Sequence, residues 1–166
     1  MSRLLLLRHA KAAWAKPGMK DFDRPLDLEG KASLDRLARA MKAVELYPDL
    51  VALSGSCRTR ETAFGIVERL EIKVETVVDD TIYSGGAADY MQAIRKYGDV
   101  PTLMLVGHNP SIEDLALALC GEGNKDGLLK LRAGFPTAAL ANITFPVSLG
   151  ELERGTGCLE SFMLPQ

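Results

Sequence analysis

Arg3-Leu-Leu-Leu-Leu-Arg-His-Ala10 is the stretch on which the fold of this chain turns. An unbroken apolar run of strand length, bounded by charge, is the pattern of a strand buried on both faces of a parallel sheet. Similar runs recur at Leu50–Leu53, Val74–Val78 and Thr102–Val106. Helical patterns stand between them. Asp27 is placed to cap a helix reaching about Glu45, whose Leu34, Leu37, Ala38, Met41 and Val44 follow the three-and-four spacing of one buried face. Ala63, Ile66, Val67 and Leu70 mark a second helix, and Ala87–Tyr97 a third. A fourth carries Ile112, Leu115, Ala116 and Leu119, with Asn109 read as its N-cap and Pro110 as its first residue. Gly121–Gly127 reads as a glycine-rich, charged loop, and Ala138–Phe145 with Cys158–Leu164 as a closing pair of strands. Strands alternating with helices, and no linker or repeat, predict a single α/β domain over residues 1–166, three layers deep around a mostly parallel central sheet.

Composition narrows the function. The chain has 166 residues, 47% hydrophobic and 25% charged, in the range of ordinary globular domains, and a net charge of −2. That balance points away from nucleic-acid or membrane-surface partners. Apolar runs such as Leu103–Val106 fall far short of the roughly 20 residues that cross a bilayer. Leu4–Leu7 is too short for the core of a signal peptide, so a cytoplasmic protein is expected. Cys57, Cys120 and Cys158 are widely spaced and form no Cys-x-x-Cys pair, the pattern of three reduced thiols rather than a zinc site. No metal or other cofactor is expected. Nothing in the pattern indicates an oligomer, and a monomer is the default.

The chain has two histidines, and both fall at the carboxyl ends of strand-like runs. Arg8-His9 follows the first run, Ser54-Gly-Ser-Cys-Arg58 the second, and Gly107-His108 the fourth. In open α/β sheets ligands collect at that edge. A lone histidine there is more often structural than catalytic. Two histidines and two arginines converging with helix N-termini make an anion site suited to phosphate.

Three segments resemble the motifs of the histidine phosphatase superfamily, the phosphoglycerate mutase-like fold. Leu5-Leu-Leu-Arg-His-Ala10 is similar to its Arg-His signature, Ser54-Gly-Ser-Cys-Arg-Thr-Arg-Glu-Thr62 to its serine-arginine segment, and Val106-Gly-His-Asn-Pro110 to its second-histidine motif. Asp23-Arg-Pro-Leu26, the stretch at Ile82-Tyr-Ser and Phe135-Pro-Thr-Ala-Ala139 resemble the short SixA-type phosphohistidine phosphatases in particular. The resemblance implies that His9 is a nucleophile forming a transient phosphohistidine. It implies that Arg8 and Arg58 grip phosphoryl oxygens and that His108 donates a further hydrogen bond. Lys11, Arg24 and Asn109 are candidates to extend the pocket; Lys11 and Arg24 equally fit solvated surface charges.

Many superfamily members carry an acid after the third strand that protonates the leaving group. Here that loop is Asp79-Asp-Thr-Ile-Tyr-Ser84, with no glutamate near Ile82. Asp79 or Asp80 is a candidate, each also readable as a solvated strand-end carboxylate. A missing acid suits phosphohistidine carried on a protein, because imidazole leaves more readily than an alkoxide. The alternatives are a small-molecule phosphomonoesterase with Asp79 or Asp80 as acid, and a phosphate- or phosphoprotein-binding module without turnover. A cysteine-dependent phosphatase is excluded, since Ala63, Asp126 and Leu164 stand where Cys-x₅-Arg needs arginine, and there is no P-loop or dinucleotide motif.

Overall fold

Leu4 and Leu6 of the first strand pack into one hydrophobic cluster and Leu5 and Leu7 into another, all four without solvent exposure. The computed structural model describes residues 1–165. Its elements in chain order are β1 (Ser2–Arg8), α1 (Leu28–Ala43), β2 (Leu50–Leu53), α2 (Cys57–Leu70), β3 (Glu75–Val78), α3 (Thr81–Ser84), α4 (Ala87–Tyr97), β4 (Thr102–Gly107), α5 (Ser111–Leu119), β5 (Cys120–Gly123), α6 (Lys125–Ala133), β6 (Leu140–Phe145) and β7 (Gly157–Met163). The strands form one seven-stranded mixed sheet in the order β3-β2-β4-β1-β6-β7-β5. β1 to β4 run parallel, β6 is antiparallel to both β1 and β7, and β5 pairs parallel with β7. The expected closing pair is thus β6 and β7.

The sheet divides the core. On one face α1 and α2 bring Leu34, Leu37, Met41, Ala63 and Ile66 against Leu5, Leu7, Val51 and Val106. On the other, α4 and α5 bring Tyr90, Ile94, Ile112 and Leu115 against Leu4, Leu6, Ala52 and Leu105. Asp27 caps α1 as its position suggests, its carboxylate accepting from Gly30 N at 2.7 Å.

Two expectations need correction. Gly121–Gly127 is not a loop: its first part is β5, and Asn124 then caps α6 by accepting from Gly127 N at 2.8 Å. The segment has little apolar pattern of its own, because β5 is held by pairing with the distant β7. Nor does Asn109 cap the fourth long helix. α5 starts at Ser111, with no side-chain cap, and Asn109 Nδ2 donates instead to Phe135 O at 3.3 Å. That carbonyl comes from a loop 26 residues away, a partner that local sequence cannot reveal.

The parallel strands place their carboxyl ends along one edge. Register aligns Arg8 with Gly107 and Leu53 with Val106, so His9 and His108 follow as neighbours on adjacent strands. The topology thereby assembles the site.

Candidate active site

His9 is held through both its ring and its backbone. Its Nδ1 lies 2.7 Å from the carbonyl of Ala10. A carbonyl only accepts, so Nδ1 carries the proton and Nε2 keeps its lone pair. The backbone is tied on three sides: His9 N donates to Gly107 O, Ala138 N donates to His9 O, and Ala10 N donates to Thr62 Oγ1 at 3.0 Å. Thr62 in turn donates to Arg58 O at 2.7 Å, linking the end of β1 to the first turns of α2.

The His108 ring stands 5.3 Å from that of His9, tilted 55°. Its Nε2 lies 2.7 Å from Ser54 Oγ, which also contacts Thr59 Oγ1 at 2.7 Å. Its backbone N–H donates to the Tyr90 hydroxyl at 2.9 Å, and that hydroxyl donates to Ile82 O. Burial pushes the Tyr90 phenol up to about 12. The phenol occupies the space beside Gly107, where an added Cβ would come within 2.7 Å of the ring and hydroxyl.

Both histidines are buried among cations. Loss of water is the larger cause and the charges of Arg58 and Arg8 add to it, lowering His9 to about 4; for His108 the cause is again burial, with His9 and Arg58 adding, and the value is about 3. At neutral pH both rings are uncharged. Arg8 Nη1 donates to Phe135 O at 2.8 Å, and burial lowers its pKa while Glu113 opposes that. Arg8 Nε and Asn109 Oδ1 are buried with no partner among the described residues. The buried Arg58 donates through Nη1 to Asp21 O at 2.8 Å and through Nη2 to Asp21 Oδ2 at 3.0 Å.

The structure thus brings Arg8, His9, Arg58 and His108 together on one rim. Arg24 joins its edge by donating to Asp21 Oδ1 at 3.1 Å, and Asn109 lies beside Arg8 along the Phe135 loop. Lys11 stays outside, its exposed ammonium 3.8 Å from Asp27 at the start of α1. Sequence reasoning missed Asp21 and the roles of Tyr83 and Tyr90. Asp21 accepts from Tyr83, Arg24 and Arg58, which hold it down at about 2. The Tyr83 ring lies edge-on to His108 at 5.4 Å. Both residues sit in or beside stretches that resembled the SixA type, the one signal that pointed to them.

The loop after β3 places its two carboxylates differently. Ile82 is fully buried in the core. Asp79 accepts from Thr81 N, Thr81 Oγ1 and Tyr97 OH, which depress its pKa. Asp80 is exposed, with Oδ1 beside Gly55. Among the described residues no group of three or more His, Cys, Asp or Glu side chains is placed to hold a metal ion, and no helix is long and apolar enough to cross a membrane.

Comparison with known proteins agrees with this geometry. Residues 4–81 match the model of the histidine phosphatase superfamily, branch 1. A crystal structure from Agrobacterium tumefaciens, provisionally named a phosphohistidine phosphatase SixA, is 34% identical, with a TM-score of 0.84 over 99% of this chain and 98% of that one. A protein histidine phosphatase SixA complexed with tungstate shares the fold, at 19% identity and a TM-score of 0.76 over 98% and 97% of the two chains. An uncharacterized chloroplastic protein of Arabidopsis thaliana is 34% identical over 133 residues, 74% of this chain; the chain spans 61% of that relative's length. A sheet edge that gathers two buried histidines and two arginines, together with these matches, places the chain in the histidine phosphatase superfamily as a SixA-type member.

Proposed function

We propose that this protein is a phosphatase that uses His9 as nucleophile to remove phosphate from phosphohistidine carried by a protein. The observation that carries the substrate reading is that neither Asp79 nor Asp21 is held as a proton donor. Of the carboxylates at this edge, Asp79 is satisfied by three donors and Asp21 is held at about 2, so both are ionised at neutral pH. A positioned acid is worth about 10²–10⁴ in rate when an alkoxide must leave. Phosphohistidine leaves as imidazole, whose remote ring nitrogen takes its proton from water, and needs no such acid.

In the first step the His9 Nε2 lone pair attacks phosphorus, and the bond from phosphorus to the substrate imidazole breaks. In the second, water attacks the phosphorylated His9, the P–Nε2 bond breaks, and inorganic phosphate leaves. Arg8 and Arg58 neutralise the phosphoryl oxygens in both steps. A neutral His108 donates to the phosphoryl group through Nδ1 when Ser54 donates to its Nε2. The fixed tautomer of His9 supports its role, since Nε2 is already a free base.

The test is release of phosphate from a phosphohistidine-bearing carrier and from an alkyl phosphate monoester, by the protein and by His9→Ala. Release from phosphohistidine alone, abolished in His9→Ala, is expected. Comparable release from the ester would establish a small-molecule phosphomonoesterase with a hidden acid. No turnover of either, with phosphate still bound, would establish a binding module.

A further inference from the structure

Trp14 is the single tryptophan of the chain and is 90% exposed, far more than any other aromatic side chain. Its arm, between β1 and α1, is nonetheless well built. Ala12 bridges Leu26, Ala13 N donates to Pro25 O at 2.8 Å, and Asp27 N donates to Lys11 O at 3.0 Å. Leu26 N donates to Glu61 Oε1 at 2.9 Å, which pins the arm's far end to α2. The Arg24 guanidinium lies 5.9 Å over the Trp14 ring and donates through Nε to Ala13 O at 3.0 Å. Arg24 also donates to Asp21, which Arg58 holds, so the exposed indole is two side chains removed from the phosphate-gripping arginine. On the same arm Lys16 and Lys20 are exposed and have no carboxylate within 4.0 Å among the described residues.

We propose that Trp14, Lys16 and Lys20 form a docking surface for a folded protein that presents its phosphohistidine on an acidic face. This rests on the phosphohistidine reading above and names the kind of partner. A free phosphate ester satisfied by Arg8, Arg58 and the two histidines would leave Trp14 in water. A ligand touching the indole and the pocket together must extend past Arg24 and Asp21, as a protein surface does. Tryptophan and arginine are the side chains that most often anchor such contacts. The two unpaired lysines select an anionic neighbour and speed its encounter. A membrane surface is the competing occupant, since indole and lysine also suit an anionic interface.

The experiment uses the sole tryptophan as its reporter. His9→Ala protein is titrated with a tryptophan-free carrier phosphorylated on one surface histidine flanked by acidic side chains, with free phosphohistidine, and with phosphatidylserine vesicles. Emission is expected to shift to the blue with the carrier alone. In turnover, Trp14→Ala is expected to lower kcat/KM for the carrier at least tenfold, mainly through KM. Free phosphohistidine should change less than twofold. Lys16→Glu with Lys20→Glu should give the same split and a weaker salt dependence. Equal losses on both substrates, no loss on either, or a blue shift with vesicles would overturn the docking surface. Failure of the unaltered protein to hydrolyse even free phosphohistidine would instead overturn the substrate reading, and the docking proposal with it.

Discussion

The Tyr83 hydroxyl donates to Asp21 Oδ2 at 2.7 Å, and the same oxygen accepts from Arg58 Nη2 at 3.0 Å. A carboxylate with no proton therefore sits against the arginine proposed to hold phosphate. It fixes Arg58 in place, yet it is a like charge to the ligand.

Asp21→Asn should show which effect is larger. The amide oxygen can still accept from Tyr83 and Arg58, and Arg58 keeps its bond to the Asp21 backbone carbonyl; the amide nitrogen replaces the acceptor of Arg24, so that contact is lost along with the charge. Two charges several ångströms apart near a surface interact by about 1–3 kcal/mol, which solvent screening of the half-exposed Asp21 cuts to about 0.7–1.4 kcal/mol. Phosphate or tungstate should bind about three- to tenfold more tightly to Asp21→Asn by that arithmetic, and product inhibition should strengthen. Calorimetric titration reads it directly; weaker binding would mean that positioning of Arg58 outweighs repulsion.

Ser54→Ala leaves His108 Nε2 without its 2.7 Å partner. The ring then has no group to fix which nitrogen carries the proton, and its donation to a phosphoryl oxygen weakens. We expect kcat to fall about tenfold to a hundredfold, within the range of one lost oxyanion donor, with the fold intact by circular dichroism. Ser54→Thr, which keeps the hydroxyl, should recover part of the rate. Equal loss in both variants would place the effect in packing rather than in the hydrogen bond.

Gly107→Ala tests the wall behind His108. The new methyl would meet the Tyr90 phenol at 2.7 Å, and that phenol is held by Ile82 O and His108 N, so it has little room to yield. A cost of about 1–3 kcal/mol, the usual range for overpacking, should appear as a lower midpoint in urea together with reduced kcat. An unchanged midpoint would show that Tyr90 moves freely.

Much of this was legible in the sequence, for a physical reason. Leu4–Leu7 and Leu103–Val106 are buried on both faces, and the uniform burial writes itself as an uninterrupted apolar run. Arg8 ends β1, His9 and His108 directly follow β1 and β4, and Arg58 stands in the first turn of α2 after β2, so the parallel strands bring them to one edge. The SixA-like stretches include Tyr83 and lie beside Asp21, but the contacts that make them site residues, like those of Tyr90, run between separate segments and were not legible. Asp21 meets Arg58 37 residues away and Tyr83 62 residues away. β5 escaped notice likewise, since its pairing is with β7 rather than with its own neighbours.

The two buried histidines set a pH dependence opposite in sign to that of a histidine in an ion pair. The ordinary value is 6.5, the folded values are about 4 for His9 and about 3 for His108, and so the unfolded chain binds protons that the folded one refuses. Their contribution to stability is fully present above pH 6.5. It is lost as pH falls, down to about 4 for His9 and about 3 for His108. Each neutral histidine accounts for up to about 1.4 kcal/mol per pH unit well inside its window. Urea unfolding at pH 7.5, 6.0 and 5.0 should show the protein losing more stability on acidification than His108→Asn does. The same depression keeps His9 Nε2 unprotonated, so phospho-His9 trapped by rapid quenching without acid should still form at pH 5.5, where an ordinary histidine is mostly protonated. A stability slope unchanged in His108→Asn, or an acid limb near pH 6.5, would mean that the rings carry protons in the folded protein and that the pocket is wetter than its packing indicates.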